Sequence, residues 1–461
     1  MADFERVAGR LREALAPDRV STAPEDMAVY SYDGTWVVGR PEIAVVPLDV
    51  REVAAIVKIA DEESMPIVPR GAASGLAGGA VPVFGGIVVS MTRMNKILDI
   101  DKVNMTVVTQ PGVVTATLQA AVEREGLFYP PDPASIKMST IGGNVATCAG
   151  GPRCLKYGVT RDYVLDLEVV LPNGEIMHTG ASTAKNVAGY DITHLFVGSE
   201  GTLGLVTEAT LRLIPLPRAR RTVMAHFTDV STAANAVTDV LGAGIIPCAM
   251  ELMDNTTIGI VEEYLHAGLD VNAGALVLIE VDGDEEVVPR QGDEIEAVCR
   301  ARAQSVRQAR DQTEADTLWA ARRSVGAAFG ILRPHRLGED IAVPRSKIPE
   351  AVERIRDIGV EYGLTIAIFG HAGDGNLHPN ILLDLRDEDE TRRTLGAADE
   401  IFHVAMQLGG VITGEHGIGL LKRDYLEESL DKQAFALMRT LKRTIDPHNI
   451  MNPGKVFAPD A

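Results

Sequence analysis

Two histidines flank a turn signal in the C-terminal half of the chain. The segment Gly370–Asn380 reads GHAGDGNLHPN and has apolar residues on either side. Asp-Gly is a strong signal for a two-residue hairpin turn. A hairpin centred on Asp374 and Gly375 places His371 directly opposite His378, with their Cβ atoms about 5 Å apart. Two such histidines can chelate one metal ion, although the spacing fits a surface or core histidine pair beside an acidic turn equally well.

A second segment, Gly414–Gly419, places a carboxylate beside an imidazole. It reads GEHGIG, so Glu415 and His416 are framed by glycines. Two histidines and one glutamate form an open divalent-metal set that leaves coordination positions for a substrate. His416 is then left over and could serve as a general base. Asn380 lies on the same predicted strand face as His378, two residues along.

Three glycine clusters lie in the N-terminal half of the chain, at Gly71–Gly79, Gly142–Asn144 and Gly198–Gly204. Glycine lets the backbone approach a ligand closely and aim successive N–H groups at phosphate oxygens. One such cluster is more often only a tight turn, but three of them favour a diphosphate ligand. The sequence contains neither G-x-G-x-x-G nor a P-loop, so a nicotinamide Rossmann site and a P-loop are both unsupported.

The elements that position these residues alternate between strands and helices. Strands are predicted at 86–91, 105–110 and 165–171, with a helix at 115–125. The segment Ile214–Pro217 breaks the pattern and marks a domain boundary. Beyond it, strands and helices follow in βαβ-βα order, which is compatible with a ferredoxin-like domain. The last helix of this series is predicted at 293–304.

Charge and composition exclude several classes of partner. The 461 residues carry a formal charge of −20, which argues against a nucleic-acid backbone or an anionic membrane as the main partner. No apolar run approaches the ~18 residues of a membrane span, and the N-terminus has no apolar signal core. The 4 cysteines form no CxxC pair, so zinc-ribbon and iron–sulfur sites lack their ligands. Such sparse cysteine use fits a reducing compartment.

The motifs resemble the vanillyl-alcohol oxidase/para-cresol methylhydroxylase (PCMH) superfamily. Four segments of this sequence resemble the FAD-binding half of that superfamily: Pro69–Gly79, Ser139–Asn144, Gly158–Asp162 and Gly198–Gly204. The C-terminal half of its FAD-linked 2-hydroxyacid dehydrogenase branch is similar to three more: His371–Asn380, Gly414–Gly419 and Asn452–Lys455. That branch includes D-lactate dehydrogenases, D-2-hydroxyglutarate dehydrogenases and the flavoprotein subunit of glycolate oxidase. The resemblance extends from Pro41 to Phe457.

This resemblance implies an α+β fold with three parts. An N-terminal helical segment is expected at residues 1–40, and a two-subdomain FAD-binding domain of PCMH type at 41–217. A C-terminal FAD-linked oxidase domain, carrying the substrate and metal sites, is expected at 218–461. It would comprise a ferredoxin-like cap domain and a C-terminal helical segment that returns to the flavin.

The resemblance also implies roles for individual residues. His371, His378 and Glu415 would hold one divalent metal ion, zinc or manganese. His416 would accept the substrate hydroxyl proton, with Asn380 also in the catalytic group. Arg322 would bind the substrate carboxylate, because its fork matches two oxygens; a solvated helix face, or the neighbouring Arg323 in that role, are the alternatives. FAD contacts are expected from Arg70, Gly71, Ala72, Ser74, Gly75, Leu76, Pro131, Asp132, Ser139, Gly142, Gly143, Asn144, Gly201, Val206 and Asn452.

The implied activity is oxidation of a small D-2-hydroxyacid, D-lactate or glycolate foremost, to the 2-oxoacid by hydride transfer to flavin N5. Superfamily members with covalent flavin usually carry a histidine near the pyrophosphate loop. The loop Arg70–Ala80 has none, so FAD is expected to be non-covalent. D-2-hydroxyglutarate is the alternative substrate. Dicarboxylate-specific members tend to have a lysine shortly before the residue equivalent to Asp340, where this chain has Leu337–Glu339, although Arg336 is near.

Two other classes of function use the same residues. A metal-dependent hydrolase could use His371, His378 and Glu415, but it leaves the glycine clusters unexplained. The adjacent Glu415 and His416 argue against a non-catalytic nucleotide-binding subunit. Because the sequence has no haem or iron–sulfur ligand set, electrons should leave to a separate acceptor: a quinone, a cytochrome, an electron-transfer flavoprotein or an iron–sulfur partner subunit. A cytoplasmic location is expected, with peripheral membrane association and a homodimer left open.

Overall fold

The structure, a computed structural model, describes residues 4–459, so residues 1–3 of the predicted N-terminal segment lie outside the described residues. The chain divides into two compact units. Unit 1 comprises the described parts of residues 1–150, 159–216 and 415–461, and unit 2 comprises 151–158 and 217–414. The main division, after Leu216, coincides with the predicted break at Ile214–Pro217. Residues 415–459, which the sequence analysis assigns to the C-terminal domain, cluster with unit 1.

Helices occur in both units and are labelled here in chain order. They are α1 (Phe4–Ala14), α2 (Pro24–Val29), α3 (Val50–Glu62), α4 (Thr115–Glu123), α5 (Ile141–Thr147), α6 (Cys154–Tyr157), α7 (Thr193–Phe196), α8 (Val230–Gly242), α9 (Asn255–Leu265), α10 (Val288–Arg300), α11 (Gln312–Ala328), α12 (Ile348–Tyr362), α13 (Glu388–Gln407), α14 (Arg423–Ser429) and α15 (Lys432–Ile445). Short 3₁₀ turns occur at Pro17–Arg19, Met91–Arg93, Thr160–Tyr163, Phe329–Ile331 and Arg345–Lys347.

Strands are labelled in the same way. They are β1 (Val20–Ser21), β2 (Ile43–Val45), β3 (Ile67–Arg70), β4 (Ile87–Ser90), β5 (Ile97–Asp101), β6 (Thr106–Thr109), β7 (Leu127–Phe128), β8 (Val164–Val170), β9 (Ile176–His178), β10 (Leu205–Arg212), β11 (Ile214–Pro215), β12 (Ala219–Phe227), β13 (Ala249–Asp254), β14 (Ala275–Gly283), β15 (Ser305–Gln308), β16 (His335–Gly338), β17 (Ile341–Ala342), β18 (Thr365–His371) and β19 (Asn376–Leu383). Within the described residues, no helix has the length and apolarity needed to cross a membrane.

Unit 1 contains two main sheets, as expected for two subdomains. The first has the order β1-β2-β4-β3, with β2 and β3 both parallel to β4. The second is antiparallel, with the order β5-β6-β10-β8-β9. Helical spacing puts Val7 and Leu11 of α1 on one buried side, where they share a core with Val53 and Val57 of α3. Burying each such aliphatic side chain stabilises the fold by about 1.5–3 kcal/mol.

The C-terminal segment forms part of unit 1. The amide of Ile67 at the start of β3 donates to the Ile450 carbonyl (2.7 Å), and the amide of Asn452 donates to the Ile67 carbonyl (2.7 Å). Lys442 is buried and forms an ion pair with Asp446, while its Nζ also donates to the carbonyl of Thr202 at 2.9 Å. The Ile67 contacts join residues 450–452 to the first sheet, and the Thr202 contact joins Lys442 to the third glycine cluster.

Unit 2 is built on one sheet with the order β15-β12-β14-β13-β18-β19-β16, and β17 also pairs with β19. Its first four strands in chain order, β12 to β15, lie in the order 4-1-3-2 with α8 and α10 as crossovers, which is the ferredoxin-like arrangement. The structure starts α10 at Val288 and ends it at Arg300, so the predicted range of 293–304 is wrong. Pro289 lies in the first turn, where a missing N–H is tolerated.

The β18–β19 hairpin has a different register from the one predicted. His371 pairs with Asn376, and Phe369 pairs with His378, so the prediction that the two histidines face each other directly is wrong. The turn has four residues instead of two, because the Gly375 amide donates to the His371 carbonyl (3.0 Å) and Gly375 adopts φ +92°. The register differs by two positions, so the two histidines still lie on the same face, as diagonal neighbours.

Candidate functional site

A cavity of about 240 Å³ in unit 1 is lined by residues from all three glycine clusters. Most of the predicted FAD-contacting residues line it, namely Arg70, Gly71, Ala72, Ser74, Gly75, Leu76, Ser139, Gly142, Gly143, Asn144, Gly201 and Val206. Pro131, Asp132 and Asn452 are not among its lining residues. Glu415 and His416 also line this cavity, so these two residues and the three glycine clusters meet within unit 1.

The glycines of the cavity wall are required for close approach. A Cβ on Gly71 would lie 2.4 Å from Thr140 Oγ1, and one on Gly201 would lie 2.3 Å from Pro69 Cγ. Gly201 also has φ +70°, which side chains rarely tolerate. A Cβ on Gly75, by contrast, would meet nothing within 4 Å. Tightly packed backbone with open space in front of it fits a ligand held by main-chain N–H groups, as the diphosphate of FAD requires.

Glu200 is a buried carboxylate in the cavity wall that the sequence analysis did not single out. Its Oε1 accepts from the Ile418 amide (2.7 Å) and its Oε2 from the Gly419 amide (2.8 Å). Burial raises the pKa of Glu200 to about 7, against the opposing effect of these N–H groups and of Lys455. A Cβ on Gly417 would lie 2.9 Å from Glu200 Oε1. The carboxylate therefore fixes the backbone that follows His416.

Asn452 was predicted to reach the flavin from the C-terminal segment. The structure places it in the wall behind the cavity, only 1% exposed. Its side-chain amide donates to the carbonyl of Gly79 (2.9 Å) and to that of Glu200 (2.8 Å). Nearby, Lys455 donates to the Val81 carbonyl (2.7 Å), and burial lowers the pKa of Lys455 to about 8. Asn452 therefore joins the C-terminal segment to the first glycine cluster, and Lys455 joins it to the chain just beyond that cluster.

The two histidines of the β18–β19 hairpin converge in unit 2. Both are buried, and their Nε2 atoms lie 3.4 Å apart. Two nitrogens bound tetrahedrally to one zinc ion at 2.0–2.1 Å would be separated by about 3.3–3.4 Å. His371 Nδ1 lies 2.6 Å from a carboxylate oxygen of Glu251, so Nδ1 carries the proton and Nε2 is the nitrogen that would bind a metal ion. This pair therefore fits a metal ion as a donor set.

Glu251 is a second functional candidate that sequence reasoning missed. It lies on β13, is 0% exposed, and its Oε2 accepts from Arg322 Nε at 2.6 Å. Although burial acts to raise it, the pKa of Glu251 is held below its ordinary value by Arg322 and His371. Arg322 is buried, whereas Arg323 is exposed. Of the two arginines weighed as carboxylate ligands, only Arg322 therefore points into the interior of unit 2.

Further polar contacts fix the strands around the histidine pair. Asp340 is 0% exposed and accepts from the side-chain amide of Asn376 (2.7 Å), from the Thr413 hydroxyl (2.6 Å) and from the Gly414 amide (3.0 Å). This holds the end of the unit-2 chain immediately before Glu415. Asn380 instead accepts from Arg336 Nη1 (3.0 Å), so its amide oxygen is already engaged.

The combination of a PCMH-like two-sheet unit and a glycine-walled cavity defines a flavoprotein fold, and comparisons with known proteins agree. Residues 41–180 match the family model described as "FAD binding domain", and residues 216–456 match "FAD linked oxidases, C-terminal domain". The solved structure of p-cresol methylhydroxylase with substrate bound has a TM-score of 0.84 and 18% identity, covering 99% of this chain and 98% of that one. The latter similarity concerns the fold.

Two sequence relatives share a higher identity with this chain than the solved structure does. The chain is 48% identical to "Glycolate oxidase subunit GlcD" of Bacillus subtilis (strain 168), over 98% of this chain and 97% of that protein. It is 37% identical to "D-lactate dehydrogenase" of Anaerostipes hadrus, over 96% of this chain and 95% of that protein. The chain belongs to the family of FAD-linked oxidases, and the resemblance inferred from its motifs is confirmed.

Proposed function

We propose that this protein oxidises glycolate or D-lactate to the corresponding 2-oxoacid. At the coarser level it is an FAD-dependent 2-hydroxyacid dehydrogenase, in keeping with its family and with relatives named for glycolate and D-lactate. The observation that carries the proposal is that Glu415 and His416 line the same cavity as the three glycine clusters. The imidazole that we propose as the proton acceptor therefore adjoins the place where the cofactor of this family belongs.

The chain's own residues divide the work of such a reaction. Bound FAD would supply the acceptor for the hydride that leaves the substrate Cα. His416 would accept the hydroxyl proton on an imidazole nitrogen, and Arg322 would bind the carboxylate through its guanidinium. His371, His378 and Glu415 would hold a divalent ion, zinc or manganese, whose charge would polarise the substrate oxygens. The closely packed glycine wall would exclude water from the cofactor.

The proposed electron acceptor follows from the redox ligands that the sequence does not contain. A flavin reduced by the substrate has to pass its electrons to an acceptor. The sequence contains no CxxC pair that could bind an iron–sulfur cluster. We therefore propose a separate acceptor: a quinone, a cytochrome, an electron-transfer flavoprotein or an iron–sulfur partner subunit. A cytoplasmic location, with peripheral membrane association if the acceptor is a quinone, is consistent with this scheme.

Anaerobic reduction of the bound flavin tests the proposal. The purified protein is mixed without oxygen with glycolate, D-lactate, L-lactate or D-2-hydroxyglutarate, and the flavin absorbance is followed. Glycolate or D-lactate is expected to bleach the yellow colour, and L-lactate is not. Faster bleaching by D-2-hydroxyglutarate would reassign the substrate. Failure of every 2-hydroxyacid to bleach flavin-loaded protein would contradict the proposal and favour hydrolytic chemistry at the histidine pair.

A further inference from the structure

Glu251 joins two groups to which the proposed function gives separate tasks. Its Oε1 lies 2.6 Å from Nδ1 of His371, while its Oε2 accepts from Arg322 Nε (2.6 Å) and forms an ion pair with Arg322 Nη2 at 2.5 Å. Each carboxylate oxygen thus serves one partner. His371 comes from β18 and Arg322 from α11, so a single side chain of β13 links three elements of unit 2.

The strand positions make this arrangement rigid. Glu251 and His371 are directly paired across β13 and β18. The guanidinium of Arg322 stacks over the Phe369 ring at 4.5 Å, and Phe369 is in turn the strand partner of His378. Removing a carboxylate from water is costly unless it is paired, so the place of Glu251 in the otherwise apolar stretch Ala249–Met253 of β13 calls for an explanation. The pairing shows what it holds: one histidine and one arginine.

We propose that Glu251 is a positioning residue that acts through His371 and Arg322 together. By accepting from Nδ1 it fixes the tautomer and ring orientation of His371, so that Nε2 faces Nε2 of His378. By contacting Nε and Nη2 of Arg322, it fixes the plane of the guanidinium. The Nη1 side of the guanidinium would then bind the substrate carboxylate. This inference rests on the proposed function, because it needs a metal ion at the histidines and a carboxylate at the arginine.

The test is Glu251→Gln in the FAD-loaded full-length protein. A glutamine amide offers one acceptor oxygen and presents N–H groups on its other side, so it cannot serve both donors. Affinity for added Zn²⁺ or Mn²⁺, titrated into metal-stripped protein by calorimetry, should fall about 10–100-fold. The KM for the 2-hydroxyacid should rise by about tenfold or more, because the orientation of a charged hydrogen-bonding group is lost. FAD content should stay at the wild-type level.

Glu280→Gln is the matched control. Glu280 is also buried, lies on the adjacent strand β14 and accepts from the Thr222 hydroxyl (3.0 Å). Equal losses in both variants would reduce Glu251 to general structural support and overturn the proposal. Glu251→Asp, which keeps the charge with a shorter reach, covers the case in which Glu251→Gln does not fold; the same two losses are expected in it, to a smaller extent.

The outcomes separate this inference from the proposed function. If the wild type neither binds metal nor reduces its flavin with a 2-hydroxyacid, the proposed function fails before any variant is compared. If the wild type does both, and Glu251→Gln or Glu251→Asp matches it in metal affinity and KM, the positioning role is wrong. A loss confined to metal affinity would overturn the Arg322 half of the proposal, and a loss confined to KM would overturn the His371 half.

Discussion

Glu200→Gln should remove a pH dependence from the stability of unit 1. The pKa of Glu200 is about 7 in the folded protein because of burial, against an ordinary value of 4.5. The folded state therefore keeps its proton at pH values where the unfolded chain has lost it. The stabilisation is complete below pH 4.5 and is lost as the pH rises through about 7.

The size of the effect follows from the two pKa values. Between pH 5 and pH 8, the difference corresponds to about 2.5 kcal/mol of unfolding free energy, at about 1.4 kcal/mol per pKa unit. For a unit of some 150–250 residues, each kcal/mol shifts the melting temperature by about 2–4 °C. The melting temperature of Glu200→Gln relative to wild type should therefore rise by about 5–10 °C across this pH range. A glutamine can satisfy only one of the two amides of Ile418 and Gly419, which adds a destabilisation that is constant with pH.

Release of flavin fluorescence on heating provides the assay, because it reports unfolding around the cavity in unit 1. Asp101→Asn is the control, since the Asn104 backbone amide holds the pKa of Asp101 below its ordinary value of 3.8, outside the pH window used. Its melting curve should shift by the same amount at every pH. A difference between Glu200→Gln and wild type that stays constant from pH 5 to pH 8 would refute the reasoning.

Three further predictions concern the cofactors and the base. Acid or heat precipitation should release the flavin into the supernatant, because the loop Arg70–Ala80 offers no histidine for covalent attachment; colour retained on the denatured chain would contradict this. His371→Ala and His378→Ala should each lose the metal, measured by elemental analysis, and most turnover while keeping FAD; full activity and metal in both would show that the assignment is wrong. His416→Ala should slow anaerobic flavin reduction, measured by stopped flow, by about 10²–10⁴-fold with metal and FAD content near wild type. Loss of metal would instead make His416 a ligand, and an unchanged rate would exclude the base role.

The glycine-lined cavity was predictable from sequence because the need for glycine depends on the local backbone conformation. Positive φ values and close backbone approach demand glycine, and that demand is visible wherever glycines cluster. The two histidines lie on one face of the hairpin as the sequence predicts, but the predicted register is wrong. Asp374 and Gly375 signal a turn, yet the number of turn residues depends on where the Gly375 amide finds its acceptor, and that acceptor is the His371 carbonyl.

Glu200 and Glu251 were missed because their roles depend on distant parts of the chain. Glu200 accepts from the amides of Ile418 and Gly419, more than 200 residues further along the chain. No pattern near Glu200 in the sequence indicates these partners. Glu251 offered one signal, since it is a single acidic residue within the apolar stretch Ala249–Met253 and the whole strand is buried. A charge within a buried apolar stretch must have a partner, but the sequence does not show that Glu251 has two.

The order in which the ribosome makes the chain has a consequence for the cavity. Unit 2 is almost entirely an insertion, because residues 217–414 emerge between the first and last parts of unit 1. Glu200 accepts hydrogen bonds from Ile418 and Gly419, which are synthesised only after unit 2. Ile67, at the edge of the first sheet, likewise donates to Ile450, which is synthesised later still. A nascent chain can therefore complete the inserted unit while the flavin pocket is still open on one side. Ribosome-bound intermediates that have exposed residues up to Gly414 but not yet Ile450 should fold unit 2 but retain no flavin.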